Sequence, residues 1–219
     1  MIAPIKVILV DDHAIVRAGF RMLLATDDAI EVIGEAERGE SACQLYFETS
    51  ADLMVLDLSM PGIGGLETIR RICNRDSKAK ILVFSVHDEK VYIDRAMSAG
   101  AKGYITKHAH PEVLIAAIKK IAAGEVYIEP GLFKEEALFS DKFETSNEDY
   151  KVIIDAFSPR EFDVFLLLAK GLTSHKIADE LCLGYKTIAN YGTQIRNKLK
   201  VSSVAELAHI ALVLGVMKN

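Results

Sequence analysis

Asp11 and Asp12 stand side by side in "LVDDH", directly after the apolar run Val7–Val10. Two adjacent carboxylates repel: at ~4 Å the like-charge term is about 4 kcal/mol with an effective dielectric near 20. Unrelieved, that repulsion would protonate one of them. A third acid, Asp57, ends a second apolar run, "DLMVLD". Ser85 follows a third run, and Lys107 follows a fourth, one residue past Thr106. Singly, each is the sort of residue that caps a helix or sits solvated in a loop. Together, at the ends of parallel strands, they would bring three carboxylates, a hydroxyl and an amine to one rim. A hard divalent cation relieves the repulsion. A few oxygen ligands suit Mg²⁺, which binds through one or two carboxylates plus a phosphate. The chain has no G-x-x-x-x-G-K-[ST] loop to cradle a nucleotide. The remaining chemistry is a carboxylate that itself accepts a phosphoryl group, and Asp57 is the candidate. The loop after it, "LSMPGIGG", has Pro61 and glycines that let backbone approach the site. Lys107 would pair with one phosphate oxygen as a point charge, and Ser85 would donate its hydroxyl to another.

The elements that must position these groups are legible in residues 1–123. Five short runs (Lys6–Val10, Ile30–Gly34, Leu53–Leu56, Ile81–Phe84 and Gly103–Ile105) are continuous and rich in Val and Ile. That is the pattern of strands covered on both faces. Segments of helical spacing separate them, with Val16, Phe20, Leu23 and Leu24 on one stripe and Leu114, Ile118 and Ile121 on another. Alternation of this kind predicts a five-stranded doubly wound parallel sheet. In such a sheet ligands bind beyond the carboxyl ends of the strands.

Residues 124–155 carry nine acids against three lysines and read as a solvated acidic linker, partly helical. From residue 156 to 219 the pattern is all-α, in four short helices. "SPRE" (Ser158–Glu161) is a capping box with Pro at the first helical position. Gly171 falls where a helix should end, and Thr173 can cap the second helix. "CLG" turns into a third, about Tyr185–Lys200, and "SVAE" (Ser203–Glu206) opens the last, to about Leu214. On the third helix Ile188, Ile195 and Leu199 share an apolar stripe. Lys186, Asn190, Thr193 and Asn197 share the opposite, polar one. Amides, hydroxyls and few acids on one short face suit a helix that enters a DNA major groove.

Composition bounds the rest. The chain has 219 residues and a formal net charge of −5, so no global basic excess advertises nucleic acid. The charge is uneven, however: residues 156–219 hold eight basic residues against five acidic ones. Cys43, Cys73 and Cys182 form no C-x-x-C pair and read as reduced thiols. No signal peptide or membrane span is expected, which predicts a cytoplasmic location and no membrane partner.

Residues 5–123 resemble the receiver domain of bacterial two-component response regulators, through "VDDH", "VLDLSMPGIGG", "FSV" and "GYITK". The resemblance implies a flavodoxin-like strand order. It makes Asp57 the phosphoacceptor, charged by a sensor histidine kinase. Mg²⁺ would be held by the side chains of Asp12 and Asp57, by the backbone carbonyl of Ser59, and by Asp11 through water. Tyr104 matches the aromatic switch that turns inward as Ser85 moves toward the phosphoryl group. The segment from "SPREF" to "KLKV" resembles the LuxR-type helix-turn-helix of the NarL/FixJ family, and details such as "SMPGIGGLE" resemble its GacA/UvrY branch.

The second resemblance implies double-stranded DNA as partner. Lys186, Thr187, Ala189, Asn190, Thr193, Gln194, Arg196, Asn197, Lys198 and Lys200 become candidate contacts. Many family members carry lysines where this chain has Ala189 and Thr193, which shifts dependence onto the remaining cations. On the last helix Leu207, Ile210, Ala211 and Leu214 share a stripe, part of which must close the domain's own core; the family's dimer contact implies that the remainder pairs in a homodimer on activation. The expected function is a phosphorylation-gated transcription regulator rather than an enzyme. A hydrolase using an aspartyl phosphate would need a further acid or base beside the acceptor, and none is evident. A module that sequesters protein through the 186–197 face is the other rival.

Overall fold

The computed structural model describes residues 3–132 and 144–217, with side chains in the later segment from residue 149. Among these, residues 3–88 and 93–132 form one compact unit, and residues 89–92 and 144–217 the other.

Up to residue 122 the chain alternates strand and helix: β1 (Ile5–Val10), α1 (Ala14–Leu24), β2 (Ile30–Ala36), α2 (Gly39–Glu48), β3 (Leu53–Leu56), α3 (Gly64–Arg75), β4 (Ile81–Ser85), α4 (Lys90–Ser98), β5 (Gly103–Thr106) and α5 (Pro111–Ala122). The strands run parallel in the order β2-β1-β3-β4-β5, as expected, and a sixth joins the edge. β3, β4 and β5 are buried at every residue, which is why their sequence runs are continuously apolar. Leu114, Ala117, Ile118 and Ile121 of α5 close one face of the core over Val7, Leu9, Leu82 and Ile105. Fully burying a side chain of this size contributes roughly 1.5–3 kcal/mol.

The sixth strand, β6 (Tyr127–Ile128), pairs parallel with β5. It corrects the expectation of five strands and of a solvated linker from residue 124. Glu129 is likewise no free acid: its carboxylate accepts from the backbone N–H of Thr106 at 2.7 Å and from the Thr106 hydroxyl at 2.9 Å. Two residues are too short to leave a periodic trace, and the acids around them dominate the composition.

The second unit consists of α6 (Glu144–Asp155), α7 (Pro159–Ala169), α8 (Ser174–Glu180), α9 (Tyr185–Leu199) and α10 (Val204–Val213). Five helices rather than four are present among the described residues. α6 packs on α9 and buries Ile154, so the end of the expected linker belongs to this unit. The rest of that linker, 133–143, lies outside the described residues. Ser158 caps α7 as a full capping box with Glu161. Gly171 closes the helix at φ +80°, its N–H donating to the Leu168 carbonyl while the N–H of Leu172 reaches that of Leu167. That left-handed residue is cheap only for glycine. Phe162, Phe165, Ile188, Ile195, Leu199 and Leu207 form the buried interior of this unit.

Candidate phosphoacceptor site and DNA-facing helix

β1 and β3 are neighbours in the sheet, and the crossovers on either side of them leave in opposite directions. Their carboxyl ends therefore flank the topological switch point, where open α/β sheets bind ligands. Asp11 and Asp12 follow β1 and Asp57 follows β3, so the fold itself gathers the three acids. The α3 helix starts close against this rim. A Cβ on Gly65 would stand 2.4 Å from the Asp57 carbonyl oxygen, so the second glycine of "IGG" is a packing requirement.

Lys107 arrives from the end of β5 and bridges two of the acids. Its Nζ donates to Asp11 Oδ2 at 2.6 Å and to Asp57 Oδ2 at 2.7 Å. Asp57 is nearly inaccessible, at 2% exposure. Its other oxygen accepts from the backbone N–H of Ser59 at 3.2 Å. Burial pushes the Asp57 carboxyl above its ordinary value; Lys107 opposes that push and Asp11 reinforces it. Burial also pulls on the Lys107 ammonium, but there Asp57 and Asp11 win, and it is held above its ordinary value.

Asp11 Oδ1 accepts from the backbone N–H of His13 at 2.8 Å. Asp12 Oδ1 is closed off from solvent and accepts no hydrogen bond. Ligand atoms of Asp11, Asp12, His13 and Asp57 all lie within 4.8 Å of one another. Three carboxylates, with Asp12 Oδ1 enclosed and only the His13 ring 2.7 Å away against it, are a donor set that a hard cation fits.

Ser85 is fully buried at the end of β4, and its hydroxyl oxygen accepts from the N–H of His87 at 3.3 Å. The Tyr104 ring is also fully buried, with its hydroxyl donating to the His87 carbonyl at 2.8 Å. Tyr104 thus already points inward, on a strand that β6 removes from the sheet edge. The His87 side chain reaches the Ser59 hydroxyl, 2.9 Å from Nε2 to Oγ. Three site residues therefore meet at His87, to which sequence reasoning gave no role. No local pattern couples residues 28 apart; only the sheet order brings them together.

In the second unit α8, the turn at Cys182 (φ +51°) and α9 form a helix-turn-helix. Ile188, Ile195 and Leu199 are buried, and Lys186, Thr187, Asn190, Thr193, Gln194, Asn197, Lys198 and Lys200 are exposed. Ala189 and Arg196 are half-buried. Two of the candidate contacts are engaged at home. The Thr193 hydroxyl donates to the Ala189 carbonyl at 3.0 Å, and Lys198 is ion-paired with the capping-box residue Glu161. His175 of α8 stacks on Tyr185, at the start of α9, with centroids 4.3 Å apart.

The stripe expected to serve both core and dimer contact lies mostly inward. Leu207, Ile210 and Ala211 are buried, and Leu214 is half-buried, because this stripe of α10 closes the core of its own unit against α7. The exposed apolar side chains of α10 are Val204, Leu212 and Val213.

A doubly wound sheet with three acids and a lysine at its switch point, followed by a helix-turn-helix, defines a phosphoacceptor domain joined to a DNA-binding one. Residues 7–119 match the response regulator receiver domain, and residues 155–211 match the bacterial regulatory proteins of the luxR family. The chain is 38% identical over 213 residues to the response regulator GacA of Pseudomonas aeruginosa, covering 97% of this chain and 98% of that one. It is 36% identical to the response regulator UvrY of Escherichia coli, covering 95% and 94%. Among solved structures, a LuxR-family two-component response regulator from Aurantimonas is 40% identical. It aligns over 61% of this chain and 95% of its own with a TM-score of 0.59. RcsB of Salmonella typhimurium shares the fold, at 24% identity, a TM-score of 0.66 and coverage of 98% and 100%. The chain belongs to the NarL/FixJ family of two-component response regulators, DNA-binding transcription regulators with a receiver domain for phosphorylation.

Proposed function

We propose that this chain acts in the cytoplasm, that its Asp57 accepts a phosphoryl group from the histidine of a sensor kinase, and that the charge so gained controls dimerisation and DNA binding. The observation that carries this reading is the Lys107 bridge between Asp11 and Asp57 at the switch point. It sets a buried carboxylate beside a fixed cation, the pairing a phosphoacceptor needs. An Asp57 carboxylate oxygen forms the new bond to phosphorus as the bond from the kinase imidazole breaks, and the imidazole leaves with its electron pair. Lys107 then pairs with a phosphoryl oxygen. The Ser85 hydroxyl, 3.3 Å from the His87 N–H in this structure, turns to donate to another. Asp12, Asp57, the Ser59 carbonyl and, through water, Asp11 would hold Mg²⁺. When bound, the ion supplies positive charge against the phosphoryl oxygens and relieves the repulsion among the acids. Movement of Ser85 pulls on His87, and the Tyr104 hydroxyl holds the same residue, so the loop between β4 and α4 is the bistable element. The exposed face of α9 meets double-stranded DNA, with Lys186, Thr187, Asn190 and Gln194 at its open start.

Intact-mass measurement tests the acceptor. With Mg²⁺ and a small acyl phosphate, the wild type gains one phosphoryl group and Asp57→Ala gains none. A mass gain that persists in Asp57→Ala moves the acceptor elsewhere. Gel shifts on genomic fragments, with and without the phosphodonor, test the coupling: donor-dependent retardation is expected of the wild type and not of Asp57→Ala.

A further inference from the structure

We infer that Glu129 is a positioning residue for Lys107: it grips Thr106, the residue before the lysine, and so fixes the base from which the ammonium swings between carboxylate and phosphoryl oxygens. This rests on the reading of Lys107 as the group that meets the phosphoryl group on Asp57. Thr106 is 5% exposed at the end of β5. On one side the sheet holds it, in register with Ser85 of β4, whose carbonyl accepts from the N–H of Lys107 at 2.7 Å. On the other side β6 is too short to do the same, since its pairing with β5 ends at Tyr104 and Ile128. Glu129 continues it by other means. Its N–H donates to the Tyr104 carbonyl at 2.9 Å, and its Oε2 accepts from both the N–H and the hydroxyl of Thr106, at 2.7 and 2.9 Å. Alternate residues of a strand face the same neighbour, so the Thr106 N–H is the donor that the next ladder bond would use. A side-chain oxygen fills that rung.

The demand on Thr106 comes from Lys107. That side chain is 13% exposed and reaches Asp11 Oδ2 at 2.6 Å and Asp57 Oδ2 at 2.7 Å. A lysine stem is flexible, so its ammonium is placed only as well as the backbone beneath it. Releasing Thr106 would free that backbone on its edge side and leave a buried N–H and hydroxyl without a partner. Pairing toward β4 alone would then hold the end of β5. The hydrogen bonds of the Glu129 carboxylate go to Thr106 rather than to any of the three acids. Its effect on phosphoryl uptake must therefore pass through Thr106 and Lys107.

The test uses the full-length protein with Mg²⁺ and a small acyl phosphate, and times phosphoryl uptake by intact mass. Glu129→Ala should slow uptake by about tenfold to a hundredfold, the order for misplacing a group that must meet the reacting centre. Glu129→Gln keeps a carbonyl oxygen that can accept from both Thr106 donors and should restore most of the rate. In a Lys107→Ala background the same Glu129→Ala change should slow uptake no further, because the group it positions is gone. Amide hydrogen exchange without phosphodonor gives a second readout. In Glu129→Ala the N–H of Lys107 should exchange faster while those of β1 and β3 stay protected. Unchanged uptake in Glu129→Ala, an equal further slowing in the Lys107→Ala background, or exchange that quickens as much in β1 and β3 overturns the role of Glu129 and leaves Asp57 as the acceptor. No uptake by the wild type overturns both readings.

Discussion

Asp57 is asked to be a nucleophile while 2% exposed, between the buried Leu56 and Leu58 in sequence. Its burial raises the carboxyl above its ordinary value of 3.8, and Lys107 only partly offsets this. A group whose folded value is raised contributes stability below its ordinary value, and that stability is lost as pH rises through the folded value. Without metal, the wild type should therefore lose stability as pH climbs from about 4 toward 7, and Asp57→Asn should not. Thermal melts in chelator at several pH values should show the Asn variant equal to wild type near pH 4 and more stable at pH 7. A less stable Asn variant at pH 7 would mean that the Lys107 pair outweighs burial. The acids, Ser85 and Lys107 were legible because each ends an apolar run, and a parallel sheet delivers all run ends to one rim. His87 and Glu129 were not. Each acts through a partner far along the chain, Ser59 and Thr106 respectively, and only strand order supplies those neighbours.

Elements were legible where they carry their own end signals. "SPRE" and "SVAE" are both full capping boxes, and α7 and α10 begin where those signals put them. The short β6 and the acid-rich start of α6 carry no such mark and were absorbed into the linker. The outward face of α10 escaped for another reason. That helix is apolar on both sides, so a stripe of Leu207, Ile210 and Ala211 identifies a face without saying whether core or partner covers it. The α10 cap has a measurable signature. Glu206 Oε2 accepts from the backbone N–H groups of Ser202 and Ser203 at 2.9 and 2.8 Å, and from both hydroxyls. The Ser202 backbone bond leads these in lowering the carboxyl to about 2. A depressed value gives stability that is present above the ordinary 4.5 and lost as pH falls through about 2. Circular dichroism melts should show wild type losing stability across that window. Glu206→Gln should be less stable at neutral pH and flat from pH 4.5 down to 2. Parallel acid profiles of the two proteins would remove Glu206 from the cap.

At the scale of the whole molecule, an acidic chain must bind a polyanion. Its net charge of −5 is distributed so that residues 124–155 hold nine of the acids and residues 156–219 carry a basic excess. The DNA-binding unit therefore has few cations to spend, and their placement decides what each does. Lys186 opens α9, and Lys200 ends it in the left-handed conformation. Both are exposed, whereas Lys198 is held by Glu161. Each phosphate contact contributes about one unit to the salt slope. Lys200→Ala should weaken specific and scrambled DNA about equally and make the slope shallower by about one unit. Lys198→Ala should change the slope by less, because binding phosphate would first cost its pairing to the α7 cap. Asn190, one turn into α9 and exposed, is placed for a base edge. Asn190→Ala should lose about 1–3 kcal/mol on the true site and little on scrambled DNA, the order of one bidentate amide–adenine contact. Binding isotherms of the three variants on both DNAs across a salt series separate these cases. If Asn190→Ala leaves the ratio of specific to scrambled affinity unchanged while Lys200→Ala still flattens the slope, α9 lies against DNA without reading bases through Asn190. If neither variant changes anything, the polar face of α9 is turned to some other partner.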